Sequence, residues 1–183
     1  YLTHEKFSLP QLEEFIDMKG DSVSVGKYFT EMLDPAMTWD DVARMVEFWD
    51  GQFCLKGVMS VEDARKAAEI GCTGIVVSNH GGRQLDGSRS PFDQLGEIVD
   101  AVGDRLDVIM DSGIQRGTHI LKALSMGAKA VGGGRFYLYA LAAAGQGGVE
   151  RALELMKLEN ERDMRLMGVT RLGDLNRDNL RFR

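Results

Sequence analysis

From Thr38 to the end of the chain one pattern recurs: a helix-opening signal, a helical stretch, a glycine, and a short run of strand-forming residues. Thr38-Trp39-Asp40-Asp41, Ser60-Val61-Glu62-Asp63 and Ser90-Pro91-Phe92-Asp93 each set a hydroxyl three residues ahead of a carboxylate, and the last adds proline at the first helical position. That is the spacing of a helix N-cap. Gly71, Gly103 and Gly127 are expected to close helices near 61–70, 91–102 and 118–126 in the left-handed conformation. Between them stand four strand candidates, at 53–56, 74–78, 107–111 and 130–133. Strands alternating with helices of about ten residues specify an α/β fold with a parallel sheet. A (β/α)8 barrel needs twice as many units, so the chain is expected to supply half of one. Val149, Ala152, Leu153, Met156, Met164 and Met167 predict a long closing helix over 148–167, its methionines packed in a core.

Residues 1–37 lack this rhythm. They mix acids, scattered aromatics, Pro10 and Pro35 without a period, as a long loop would. Composition then narrows the function classes. With 44% hydrophobic and 27% charged residues the chain suits a globular domain, and no apolar run reaches the ~18 residues of a membrane span. A net charge of −6 argues against a nucleic-acid surface. Cys54 and Cys72 have no metal-ligand spacing and are expected to be buried thiols in a reducing compartment.

Each strand candidate ends in something polar: Lys56-Gly57, Ser78-Asn79-His80, Asp111-Ser112-Gly113 and Gly133-Gly134-Arg135. In parallel α/β architectures that rim is where ligands bind. His80 and Arg83, separated by two glycines, would pair a base with a guanidinium able to grip a carboxylate. Lys56 would stabilise a developing anion. Asp111–Gly117 and Gly132–Arg135 are two glycine-bearing loops ahead of helices, where backbone N–H groups favour phosphate. His119 and His4 are expected to be structural or solvated.

The motifs Leu55-Lys56-Gly57-Val58, Ser78-Asn79-His80-Gly81-Gly82-Arg83-Gln84-Leu85-Asp86, Asp111-Ser112-Gly113-Ile114-Gln115-Arg116-Gly117 and Gly134-Arg135 resemble those of the FMN-dependent 2-hydroxy-acid dehydrogenase and oxidase family. The resemblance runs from about residue 38 to the C-terminus. It implies an FMN-dependent (β/α)8 TIM barrel of which this chain supplies strands 5–8 in 38–183, with 1–37 as the variable loop after strand 4. It implies that His80 takes the proton of a small (S)-2-hydroxy acid such as lactate or glycolate, that Arg83 holds its carboxylate, and that Lys56 stabilises reduced flavin. Ser78 would lie against the flavin, Asp111 and Gly113 near the ribityl-phosphate, and Gly134 and Arg135 on the phosphate. Gln115 stands where the family usually carries arginine, so Arg135, helped by Arg116 or backbone amides, would do more.

The family's first four strands supply a tyrosine, further flavin contacts and the aspartate paired with the histidine, and no segment here replaces them. The chain alone is therefore expected to be inactive without an N-terminal half. The family also implies a homo-oligomer, a tetramer, with cytoplasmic location as the default and peripheral membrane association as a variant. A barrel like type 2 isopentenyl diphosphate isomerase would keep the glycine loops without needing His80 and Arg83. A non-catalytic half-barrel, self-associating through an open sheet edge, is the non-enzyme alternative.

Overall fold

The computed structural model describes residues 30–182. His4 and most of the expected loop at 1–37 lie outside the described residues. The chain divides into two units, 1–42 and 43–183, and the second carries every described strand. The elements run α1 (Trp39–Trp49), β1 (Cys54–Val58), α2 (Val61–Glu69), β2 (Gly74–Val77), α3 (Pro91–Val102), β3 (Asp107–Met110), α4 (Gly117–Met126), β4 (Ala130–Val131) and α5 (Gly134–Met167).

The four strands are parallel in the order β1-β2-β3-β4, with Cys54 opposite Gly74, Gly74 opposite Asp107 and Ile109 opposite Ala130. Each crossover carries a helix, as parallel neighbours require. Among the described residues β1 and β4 pair on one side only. Ile75, Val77, Val108 and Met110 of the sheet bury against Leu95, Ile98 and Val102 of α3 and Leu121 of α4. These aliphatic side chains form the core that fixes the strand ends.

The helix-start signals work in three different ways. Ser60 Oγ accepts the Asp63 N–H at 3.0 Å, as a cap should. At α1 the exchange is inverted: Asp41 Oδ2 accepts from both the N–H and the hydroxyl of Thr38 at 2.7 Å. Ser90 makes no side-chain cap bond, and Pro91 alone opens α3. Gly71 and Gly127 are left-handed, but Gly103 has φ −64 and closes α3 in the right-handed region, its N–H on Val99 O.

Three expectations change further. Strand β1 runs on to Val58, so Lys56 lies inside the strand, followed by a register shift where Gly57 adopts φ 99. The helix expected after Gly132–Arg135 and the closing helix expected over 148–167 form one element from Gly134, with a break at Ala144–Gly145 (φ 59 at the glycine) between its two segments. Its apolar stripe packs only in part, since Met156 is buried whereas Leu153 and Met167 are exposed. Both cysteines are free thiols, but Cys54 is exposed because it starts an edge strand. Desolvation, then Asp107, raises the Cys54 thiol, and desolvation, then Cys54, raises that of Cys72.

Candidate active site

The C-terminal ends of the strands enclose a cavity of about 350 Å³. Of the residues singled out in the sequence, Lys56, His80, Arg83, Asp111, Gly113, Gln115, Gly134 and Arg135 all line it. Residues far apart in the chain meet there because adjacent parallel strands deliver their ends to one rim. Ser78 is the exception: it is 1% exposed and acts from beneath the wall.

Lys56 is the centre of the polar network. Its Nζ donates to Ser78 Oγ at 3.1 Å, pairs with Asp111 Oδ2 at 3.2 Å and lies 3.4 Å from His80 Nδ1. Burial works to raise the Asp111 carboxyl, but hydrogen bonds from Ser78, Ser112 and Lys56, with the lysine's charge, outweigh it and hold it below its ordinary value. An ammonium can only donate, so its contact with His80 leaves Nδ1 as acceptor and places the imidazole proton on Nε2. Among the described residues no carboxylate is hydrogen-bonded to His80.

The histidine loop is strained and tied down. His80 has φ 55 and Gly81 φ 69, and Asn79 Oδ1 accepts the Gly81 N–H at 3.0 Å. A left-handed histidine persists where its surroundings hold it. Ser78 Oγ accepts the His80 N–H at 3.1 Å, and Ser112 Oγ lies 3.0 Å from Gly81 N. Ser112, itself at φ 75, also donates to Asp111 Oδ1 at 2.9 Å. Gly57 makes room for the ring, since a Cβ there would stand 2.9 Å from His80 Nε2.

The two glycine loops divide their work differently from the expectation. The N-terminus of α4 already has an anion: Glu159 Oε2 accepts the Gly117 N–H at 2.8 Å, and both its oxygens bond Arg116. The Arg116 hydrogen bond, then that of Gly117, holds the Glu159 carboxyl at about 2. Arg116 is thus withdrawn from the cavity, contrary to its expected helping role. The N-terminus of α5 has no side-chain cap, and a Cβ added at Gly113 or Gly134 would meet nothing within 4 Å. Arg135 lines the cavity there while donating to Gly81 O at 2.8 Å. His119 is structural as expected, accepting the Gln115 N–H at 3.3 Å.

Gly57, Asn79, Ser112 and Glu159 were not singled out as site residues. Ser112 sat inside a quoted motif, and its signal was a non-glycine residue before a glycine in a tight turn. Glu159, 42 residues beyond Gly117, carried no local signal.

A parallel βα sheet whose rim gathers an imidazole, three cations and an uncapped helix N-terminus is an α/β protein with its candidate site at the strand ends. The profile of the FMN-dependent dehydrogenase family matches residues 3–182, and the chain belongs to that family. It is 44% identical over 163 residues to an L-lactate dehydrogenase (cytochrome) of Saccharomyces cerevisiae, covering 86% of this chain and 28% of that protein. An FMN-dependent alpha-hydroxy acid dehydrogenase of Penicillium citrinum is 40% identical over 181 residues, covering 96% of this chain and 45% of its own. A flavocytochrome b2 variant superposes with a TM-score of 0.78 at 44% identity, over 85% of this chain and 42% of that one. A mandelate oxidase solved with (S)-4-hydroxymandelic acid gives 0.73 at 47% identity, over 77% and 40%. The chain spans less than half the length of each, a portion of the barrel.

Proposed function

We propose that this chain carries the base and the cationic half of an FMN-dependent enzyme that oxidises a small (S)-2-hydroxy acid, lactate- or glycolate-like, to the 2-oxo acid. The observation that supports it most is the convergence of His80, Arg83 and Lys56 on one cavity. The residues fit the cofactor: open space above Gly113 and Gly134 is the room a phosphate needs beside backbone amides, and Arg135 supplies its charge. FMN held there would supply the acceptor for the substrate's electron pair and one of its two hydrogens. Arg83 holds the substrate carboxylate, and His80 takes the remaining hydrogen as a proton. Lys56 places a fixed positive charge where negative charge develops. Ser78 and Asp111 hold that ammonium in place.

The same reading makes the isolated chain idle. With Lys56 donating to Nδ1, neither ring nitrogen of His80 has a free lone pair for the substrate's proton. A carboxylate that accepts from Nδ1–H would restore Nε2 as base. We assign its delivery to a segment holding the first four strands, with residues 1–37 as the loop that follows them.

The test is the visible spectrum of the chain with added FMN, alone and joined to such a segment, followed by L-lactate, glycolate and mandelate without oxygen. Bleaching of the flavin band in the joined form only, lost in His80→Ala, is the expected result. Bleaching that survives His80→Ala would overturn the assignment of the base, and flavin uptake with no bleaching by any of the three acids would favour a barrel of the isopentenyl diphosphate isomerase kind. No flavin uptake by the joined form would favour the non-catalytic half-barrel.

A further inference from the structure

Away from the catalytic rim, a second cavity of about 210 Å³ opens between α4 and the C-terminal segment at 179–182. Its body is apolar, walled by Phe92, Leu121, Met167 and Phe182. Ser125 also lines it, and this hydroxyl is 2% exposed with no hydrogen-bond partner. A buried helical serine ordinarily bonds the carbonyl a turn behind it. The Oγ is shut off from the cavity as it stands, and a turn about its Cα–Cβ bond would let an acceptor in the cavity meet it and offset the cost of leaving it unpaired.

Charge points the same way. Lys122 and Arg181 line the cavity and have no acidic partner among the described residues, while nearby Arg177 is paired with Asp100 at 2.7 Å. Among the described residues no acid lines the cavity. Its polar lining is Lys122, Arg181, Thr118, Asn179 and the unsatisfied Ser125 hydroxyl, a set with two cations and no anion that asks for an acceptor-rich anion. The aromatic rings and the thioether ask for a flat apolar body. Apolar cavities of roughly 150 Å³ suffice for benzene, so the space admits one ring with a small substituent.

We propose that this cavity binds a small aromatic monocarboxylate, its ring among Phe92, Leu121, Met167 and Phe182 and its carboxylate served by Lys122, Arg181 and Ser125. The site is separate from the catalytic cavity and does not depend on the chemistry assigned there.

Fluorine NMR titration of the full chain with fluorobenzoate tests it, with fluorobenzyl alcohol as the uncharged probe of the same body and acetate as the head without the ring. Saturable fluorobenzoate binding should persist in Arg83→Gln, which disables a carboxylate contact at the rim. It should weaken at least about tenfold in the Lys122→Gln, Arg181→Gln double variant and several-fold in Ser125→Ala, as loss of charged and neutral hydrogen bonds predicts. The alcohol and acetate should each bind at least about tenfold more weakly. Ser125→Ala removes an unpaired hydroxyl and should leave the melting temperature unchanged or raised, so its weaker binding is not unfolding. Equal affinity for acid and alcohol, binding lost in Arg83→Gln, or no saturation by about 10 mM would each overturn the proposal.

Discussion

Glu159→Gln tests how the C-terminal helix holds the loop that walls the catalytic cavity. The substitution keeps the shape of the side chain and removes its charge, turning a bidentate pair with Arg116 into a single neutral bond. The carboxyl is held at about 2 in the folded chain, first by Arg116 and then by the Gly117 N–H. Its folded pKa is depressed, so the stabilisation is fully present above the ordinary glutamate value and disappears as pH falls through the folded one. Linkage sets a ceiling of about 3 kcal/mol at neutral pH. Arg116 is 61% exposed, and solvent screening brings the expected loss to roughly 1.5–2 kcal/mol. Thermal unfolding followed by circular dichroism should show Tm lowered by about 3–8 °C at pH 7. The gap between wild type and variant should close between about pH 5 and pH 2. A Tm within about 1 °C of wild type at pH 7, or a gap that stays constant into acid, would refute the assignment.

Three other substitutions probe the rim. Gly57→Ala puts a Cβ 2.9 Å from His80 Nε2 at φ 99; it should cost about 1–2 kcal/mol and slow substrate-dependent flavin bleaching in the joined form by up to about 100-fold. Ser112→Ala removes the contacts to Gly81 N and Asp111 and should lower stability by about 1–2 kcal/mol, with faster hydrogen exchange at the Gly81 amide as the marker. Asp111→Asn breaks the pair with Lys56. Because the Asp111 carboxyl is depressed, wild type should exceed this variant by about 1 kcal/mol above the ordinary aspartate value, a difference that denaturant titration should show fading as pH falls through the folded one.

The fold was legible because each βα unit announces itself locally: cap, glycine and β-branched run lie within a dozen residues of one another. Gly103 was misjudged for a physical reason, since a glycine after a helix can serve by lacking a side chain as well as by its left-handed freedom. The helix that opens at Gly134 was legible from the glycine loop ahead of it, but its continuity with the 148–167 segment was not, because Ala144–Gly145 breaks the periodicity. Motif residues on the rim were legible as a set. Their partners were not: Ser112 acts through an unusual φ, and Glu159 reaches Arg116 across 43 residues, so neither leaves a pattern in adjacent sequence.

On the function proposed above, charge around the cavity at the strand ends ties completion of the fold to the chemistry. Among the described residues Lys56, Arg83 and Arg135 face one lining carboxylate, Asp111, and it is already committed to Lys56. The rim is therefore well supplied to receive an anionic substrate and a phosphate, and poorly supplied to hold a proton on His80. Among the described residues, β1 and β4 are also the strands with an unpaired side. A segment that pairs with those edges would satisfy their backbone groups and could present a carboxylate to Nδ1 without opposing the cations already in place. Docking would then draw Lys56 off the ring and onto Asp111 and Ser78, bonds it already makes. The lysine needs no new partner, so the cost of freeing the imidazole is one weak contact at 3.4 Å.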